Sequence, residues 1–138
     1  MYLLDTDSLS ALHRGHSAMQ ARVTQAPQPV ATTIISRIEI LRGRIEFLRK
    51  APTGAEVLRA QQWLEHSEGL LSQIEVVPFD DAAARVFDAL RAILRLKKVG
   101  YADLLIASIS LARRAILVTR NTRDFHLVPQ LKLENWMP

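Results

Sequence analysis

Short apolar runs that stop abruptly at polar residues, with longer helical stretches between them, constrain this chain more than any other feature. Tyr2-Leu3-Leu4 ends at Asp5. Pro29-Val30-Ala31-Thr32 ends before a longer periodic stretch. Ile74-Glu75-Val76-Val77 and Ile116-Leu117-Val118 follow the same habit, and Leu131-Lys132-Leu133 is a short last candidate. Runs of three or four apolar residues bounded by turn formers read as buried strands. Between them the spacing predicts helices over 6–14, 17–25, 34–50, 53–71, 80–96 and 102–113. Thr53 with Glu56 marks one helix start and Asp80 another. Strands alternating with helices predict an α/β domain whose central sheet is mostly parallel. In such sheets, sites form outside the carboxyl ends of the strands.

Asp5 lies at such an end, as do Thr119, Asn121 and Asp124 past a later strand. Two more acids interrupt apolar sequence, Glu39 in Ile38-Glu39-Ile40 and Asp103 before Leu104-Leu105-Ile106-Ala107. A carboxylate in apolar surroundings is costly unless something neutralises it. Several of them, spread along the chain, suggest acids that meet around a cation. Each also has a plainer reading. Asp5 could be a turn former, although Asp7 or Ser8 is the better helix cap, which leaves Asp5 for chemistry and Asp7 at most as an outer contributor. Glu39 fits a capping box begun by Ser36. Against that, Gly43 lies one turn on and would let a backbone or substrate approach. Asp103 could serve only the helix dipole. Thr119 and Asn121 could be turn residues, or could orient a water or a carboxylate.

All-oxygen ligands with several waters suit Mg²⁺, with Mn²⁺ close behind, and such ions serve phosphodiester hydrolysis. The four histidines have no metal-ligand spacing and read as surface residues. Arginine dominates the positive charge, which nets +4. Arg42, Arg120 and Arg123 are candidates for contact with an RNA backbone, although on charge alone solvated helix faces are the preferred explanation. No cysteine is present, so thiolate sites and disulfides are excluded and a cytoplasmic location is the expectation. No signal peptide and no membrane span are expected. The length suits one domain over residues 1–138.

The motifs Leu3-Leu4-Asp5-Thr6-Asp7, Glu39-Ile40-Leu41-Arg42-Gly43, Gly100-Tyr101-Ala102-Asp103-Leu104-Leu105-Ile106-Ala107 and Leu117-Val118-Thr119-Arg120-Asn121-Thr122-Arg123-Asp124-Phe125 occur in this order. Together with the tail from Val128 to Trp136, they resemble the PIN-domain ribonucleases, specifically VapC-type toxins of toxin–antitoxin pairs. The resemblance implies a Rossmann-like PIN domain with a sheet flanked by helices. It implies a Mg²⁺- or Mn²⁺-dependent endoribonuclease acting on structured RNA such as tRNA or rRNA. It also implies a homodimer and a cognate VapB-type antitoxin. Asp5, Glu39 and Asp103 fall on the family's main acids, the fourth acidic position falls on Asn121, and Asp124 stands nearby as a further metal ligand. Two alternatives stand beside it. One is a PIN-like domain that binds RNA or antitoxin without cutting. The other is a haloacid-dehalogenase-like phosphatase using Asp5 as nucleophile, suggested by Asp5-Thr6-Asp7.

Overall fold

The computed structural model describes residues 1–138. Five strands form one sheet: β1 (Tyr2–Leu4), β2 (Val30–Thr33), β3 (Glu75–Val77), β4 (Ile116–Val118) and β5 (Lys132–Glu134). Their order is β3-β2-β1-β4-β5, and every pairing is parallel. The helices are α1 (Thr6–His13), α2 (Ser17–Gln25), α3 (Ile34–Arg49), α4 (Gly54–Leu71), α5 (Asp81–Arg91), α6 (Tyr101–Ala112) and the single turn α7 (Thr122–Phe125). A central parallel strand is covered on both faces, which is why Tyr2-Leu3-Leu4 has no charged residue in it.

Side chains alternate across the sheet, and the two faces collect separate cores. Leu3, Ala31 and Leu117 pack with Leu104, Ile106, Ala107 and Phe125 on one side. Tyr2, Leu4 and Val118 pack with Leu9, Met19, Ile40, Leu71 and Trp136 on the other. Leu3, Leu4 and Leu117 are completely buried, and each such side chain contributes about 1.5–3 kcal/mol. The edge strands carry Glu75, Lys132 and Glu134, and charge on an edge discourages further strand pairing. The Trp136 indole nitrogen donates to Glu134 at 2.6 Å, and its ring meets Tyr2 edge-on at 5.1 Å. These contacts anchor the C-terminal segment beneath β1. No helix is long and apolar enough to cross a membrane.

Several local expectations need correction. The helix begun by Asp80, whose carboxylate accepts from the Ala83 amide at 2.9 Å, ends at Arg91 rather than running to Leu96. Ile93 takes extended backbone angles and a 3-10 turn covers Leu94–Lys98. The cap of α1 is Asp5, not Asp7 or Ser8. The cap of α3 is Thr33, whose hydroxyl accepts from the Ser36 amide at 3.2 Å. Ser36 therefore lies inside the helix, and the capping-box alternative for Glu39 does not hold. No backbone of this chain approaches Gly43, where an added Cβ would meet no atom within 4 Å. No part of this chain needs that glycine.

Candidate functional site

Counting outward from β1, the chain runs to β2 and β3 on one side and to β4 and β5 on the other. The crevice where the order reverses lies between β1 and β4, past their carboxyl ends. Leu4 pairs with Val118, so the next residues, Asp5 and Thr119, emerge side by side.

Asp5 is 6% exposed. Its amide donates to the Val118 carbonyl at 3.1 Å, and its carboxylate accepts from the Ser8 amide at 2.9 Å. Burial pushes the carboxyl above its ordinary value. Hydrogen bonds from Thr119 and Ser8 hold it back, and the charge of Asp7 adds to the rise. One residue is thus both helix cap and buried acid. Asp7 itself is exposed in the first turn. Ser8, absent from the expected set, donates its hydroxyl to the Val118 carbonyl at 3.1 Å, tying α1 to β4.

Glu39 projects from α3 and is exposed, and neighbouring Ile38 is 53% exposed. The apolar flanks seen in sequence do not enclose it, because adjacent helical residues point about 100° apart. Its Oε1 accepts from the Thr6 hydroxyl at 2.6 Å.

Asp103 stands in the first turn of α6, partly buried. Burial raises its carboxyl to about 6. The charges of Asp5, Glu39 and Asp124 push the same way, and a hydrogen bond from Asn121 opposes them. Four carboxylates, from the end of β1, α3, α6 and α7, therefore share one electrostatic neighbourhood. Asn121 caps α7 and bridges two of them. Its Nδ2 donates to Asp103 Oδ2 at 3.4 Å and to Asp124 Oδ2 at 3.2 Å. Its amide donates to the buried Thr119 hydroxyl at 2.9 Å. In sequence this stretch reads as a turn; in the fold it is a capped helical turn that aims Asp124 at Asn121.

The donor set is all oxygen and electrostatically unsatisfied, which is the chemistry a hard divalent cation relieves. As the side chains stand, no three of the acids are close enough together to hold an ion. Asp103 and Asp124 are turned to Asn121, so their ligation requires side-chain rotation. The backbone brings the set to one crevice, and the rotamers do not yet converge.

Arg42 lies one turn beyond Glu39 on α3, and Arg120 and Arg123 flank Asn121. All three are exposed, and none belongs to the four ion pairs of the molecule. Of the histidines, His13 departs from the expected surface position. It is half-buried and its Nδ1 has no partner. Burial lowers its pKa, and nearby His66 and Arg44 add to the effect.

Comparison with known proteins agrees with this fold. The sequence profile of the family described as PIN domain matches residues 2–131. Over 68 residues the chain is 41% identical to Ribonuclease VapC2 of Rickettsia felis, covering 48% of this chain and 51% of that protein. Over 71 residues it is 41% identical to the tRNA(fMet)-specific endonuclease VapC of Shigella flexneri, covering 50% and 54%. The chain therefore spans about half the length of the curated relatives it matches. Among solved structures, VapBC2 of Rickettsia felis bound to a promoter DNA fragment is similar with a TM-score of 0.82 at 26% identity, over 98% of both chains. DNA-bound VapBC of Salmonella typhimurium is similar with a TM-score of 0.80 at 25% identity, over 98% and 97%. These matches favour the PIN reading over the phosphatase alternative. The chain belongs to the PIN-domain family and is homologous to VapC-type toxins.

Proposed function

We propose that this chain is a metal-dependent endoribonuclease, acting as the toxin of a toxin–antitoxin pair. The observation that carries the reading is the gathering of Asp5, Glu39, Asp103 and Asp124, from four separate elements, past the carboxyl ends of β1 and β4; burial and the other three charges raise the Asp103 carboxyl to about 6. A fold does not gather like charges in a crevice for stability; they favour a cation there.

Asp5, Glu39, Asp103 and Asp124 would hold Mg²⁺, or Mn²⁺ in its place. When bound, such an ion supplies an acidified water and positive charge beside a phosphoryl group. The protein's own residues do the rest. Thr119 and Ser8 hold the Asp5 carboxylate at the end of β1. Asn121 spaces Asp103 from Asp124 and contributes no charge of its own. Arg42, Arg120 and Arg123 attract the RNA backbone, an interaction that weakens as salt rises. The names of the matched relatives support RNA as substrate, and tRNA or rRNA is the class we propose. The VapBC complexes among similar structures support a VapB-type antitoxin as partner. We also propose that the chain works as one domain, as a homodimer and in the cytoplasm.

Incubation of purified protein with tRNA and rRNA, in Mg²⁺, in Mn²⁺ and in chelator, tests the reading. Cleavage is expected with either ion, none in chelator, and none from Asp5→Asn. RNA that is bound but left intact with both ions would establish the non-cleaving alternative instead.

A further inference from the structure

We infer that Thr6 is a positioning residue that sets Glu39 for metal binding, through a line of hydroxyls running from the start of α3 to the start of α1. The inference rests on the metal-site reading above and extends it to a residue that the sequence does not mark as part of the site.

Glu39 is the outlier among the acids. It is exposed, it sits on a long flexible stem, and no apolar wall holds it. Fixing such a side chain costs rotamer entropy. Left free, it would have to meet that cost on each binding event. Asp5 is held by the turn it caps and Asp103 by the first turn of a buried helix. Glu39 has one tether, and that tether is short: the Thr6 hydroxyl donates to Oε1 at 2.6 Å. Hydroxyl-to-carboxylate bonds in this range are strong and directional.

Thr6 immediately follows Asp5. A bond from Thr6 to Glu39 therefore brings the α3 carboxylate next to the residue that ends β1. Only Oε1 is committed to the tether, so Oε2 remains available as a ligand.

The tether is itself supported. The Thr6 oxygen lies 3.1 Å from the Ser36 hydroxyl, and Ser36 lies 3.4 Å from the Thr33 hydroxyl. Thr6 has one hydroxyl proton, and the carboxylate is the stronger acceptor. Ser36 accordingly turns its own proton to the Thr6 oxygen, and Thr33 supplies one to Ser36. Ser36 and Thr33 are fully buried, so their hydroxyls cannot turn to bulk water. The line Thr33, Ser36, Thr6, Glu39 points one way and ends on the carboxylate. Groups that orient metal ligands in this manner typically change affinity by about 10–100-fold when removed.

The experiment is a Mn²⁺ titration of the whole chain followed by calorimetry, and by the loss of the free-ion electron paramagnetic signal. Thr6→Val keeps the shape and removes the hydroxyl; Thr6→Ser restores it; Thr6→Ala serves should the valine crowd the turn. Thr6→Val and Thr6→Ala are expected to weaken Mn²⁺ binding about tenfold, and Thr6→Ser to bind as wild type. In a Glu39→Ala background, Thr6→Val is expected to cost nothing further, because its partner is gone. A general structural defect would not vanish in that background. If wild type binds Mn²⁺ and Thr6→Val binds it equally well or more tightly, the positioning role is wrong while the metal site stands. If wild type binds no Mn²⁺, the metal site fails and the role of Thr6 falls with it.

Discussion

Asp103→Asn should make the metal-free protein more stable while destroying its chemistry. Asparagine is nearly isosteric, and its side-chain oxygen can still accept from Asn121 Nδ2, 3.4 Å away. What disappears is a charge disfavoured by burial and by Asp5, Glu39 and Asp124. The folded carboxyl titrates at about 6, against an ordinary value of 3.8. Below that ordinary value the group is neutral in both states and costs nothing. As pH rises through the interval, the unfolded chain loses the proton while the folded chain keeps it, and a penalty accumulates until it is complete above about 6. Two pH units at about 1.36 kcal/mol each set a ceiling of about 3 kcal/mol. Asp103 is only partly buried, so solvent screening reduces this to about 1–2 kcal/mol. Loss of the charge from the first turn of α6 forfeits about 0.3–1 kcal/mol of dipole attraction. The net gain expected is about 1 kcal/mol at neutral pH. Urea unfolding in chelator reads it as a midpoint about 0.5 M higher for the variant. The advantage should vanish near pH 4, and Mg²⁺ should reverse the order by stabilising only the wild type. A wild type at least as stable as Asp103→Asn at neutral pH without metal would refute the clustering of charge.

Asp5 separates folding from chemistry in another way. Asp5→Asn keeps a cap for the Ser8 amide and should cost little stability, whereas Asp5→Ala should cost about 1–2 kcal/mol in the same urea assay, with cleavage lost in both. Asn121→Asp replaces a bridging donor with a fifth local acid; metal-free stability should fall by about 1 kcal/mol or more, and calorimetry should show tighter Mn²⁺ binding. Joint Arg120→Gln and Arg123→Gln substitution should weaken RNA binding at low salt. Filter binding should also show a flatter salt dependence, the slope falling by about 1 for each phosphate that an arginine no longer neutralises.

The centre of the sheet was legible because β1 and β4 are apolar without alternation, as strands covered on both faces must be. Tyr2–Leu4 and Ile116–Val118 were readable to the residue, and so was the placement of Asp5 and Thr119 past their ends. Helix caps were harder. Asp5, Asp7 and Ser8 are all good caps, and only the extended backbone of Asp5 and the bond it accepts from the Ser8 amide show that it takes the role. The end of α5 was invisible for a related reason: Ile93 and Leu96 continue the helical spacing, and no glycine or proline marks the break after Arg91. Glu39 misled because apolar neighbours in sequence are not neighbours on a helix. Its real partner is Thr6, on a different helix 33 residues earlier, and no local pattern reveals a hydroxyl that distant. Asn121 was recognisable as a departure from the acidic pattern. Its grip on both Asp103 and Asp124 depends on how α6 and α7 meet.

The central position of β1 has a consequence for timing. Its hydrogen-bonding neighbour β4 lies far downstream, and the Ser8 hydroxyl reaches a carbonyl 110 residues further along the chain. A ribosome that has not yet made β4 carries Asp5 with one flank bare and Asp103 without its bond from Asn121. Long-range parallel pairing of this kind is also slow to form. The crevice at the end of β1 is therefore incomplete on a nascent chain until synthesis has passed β4.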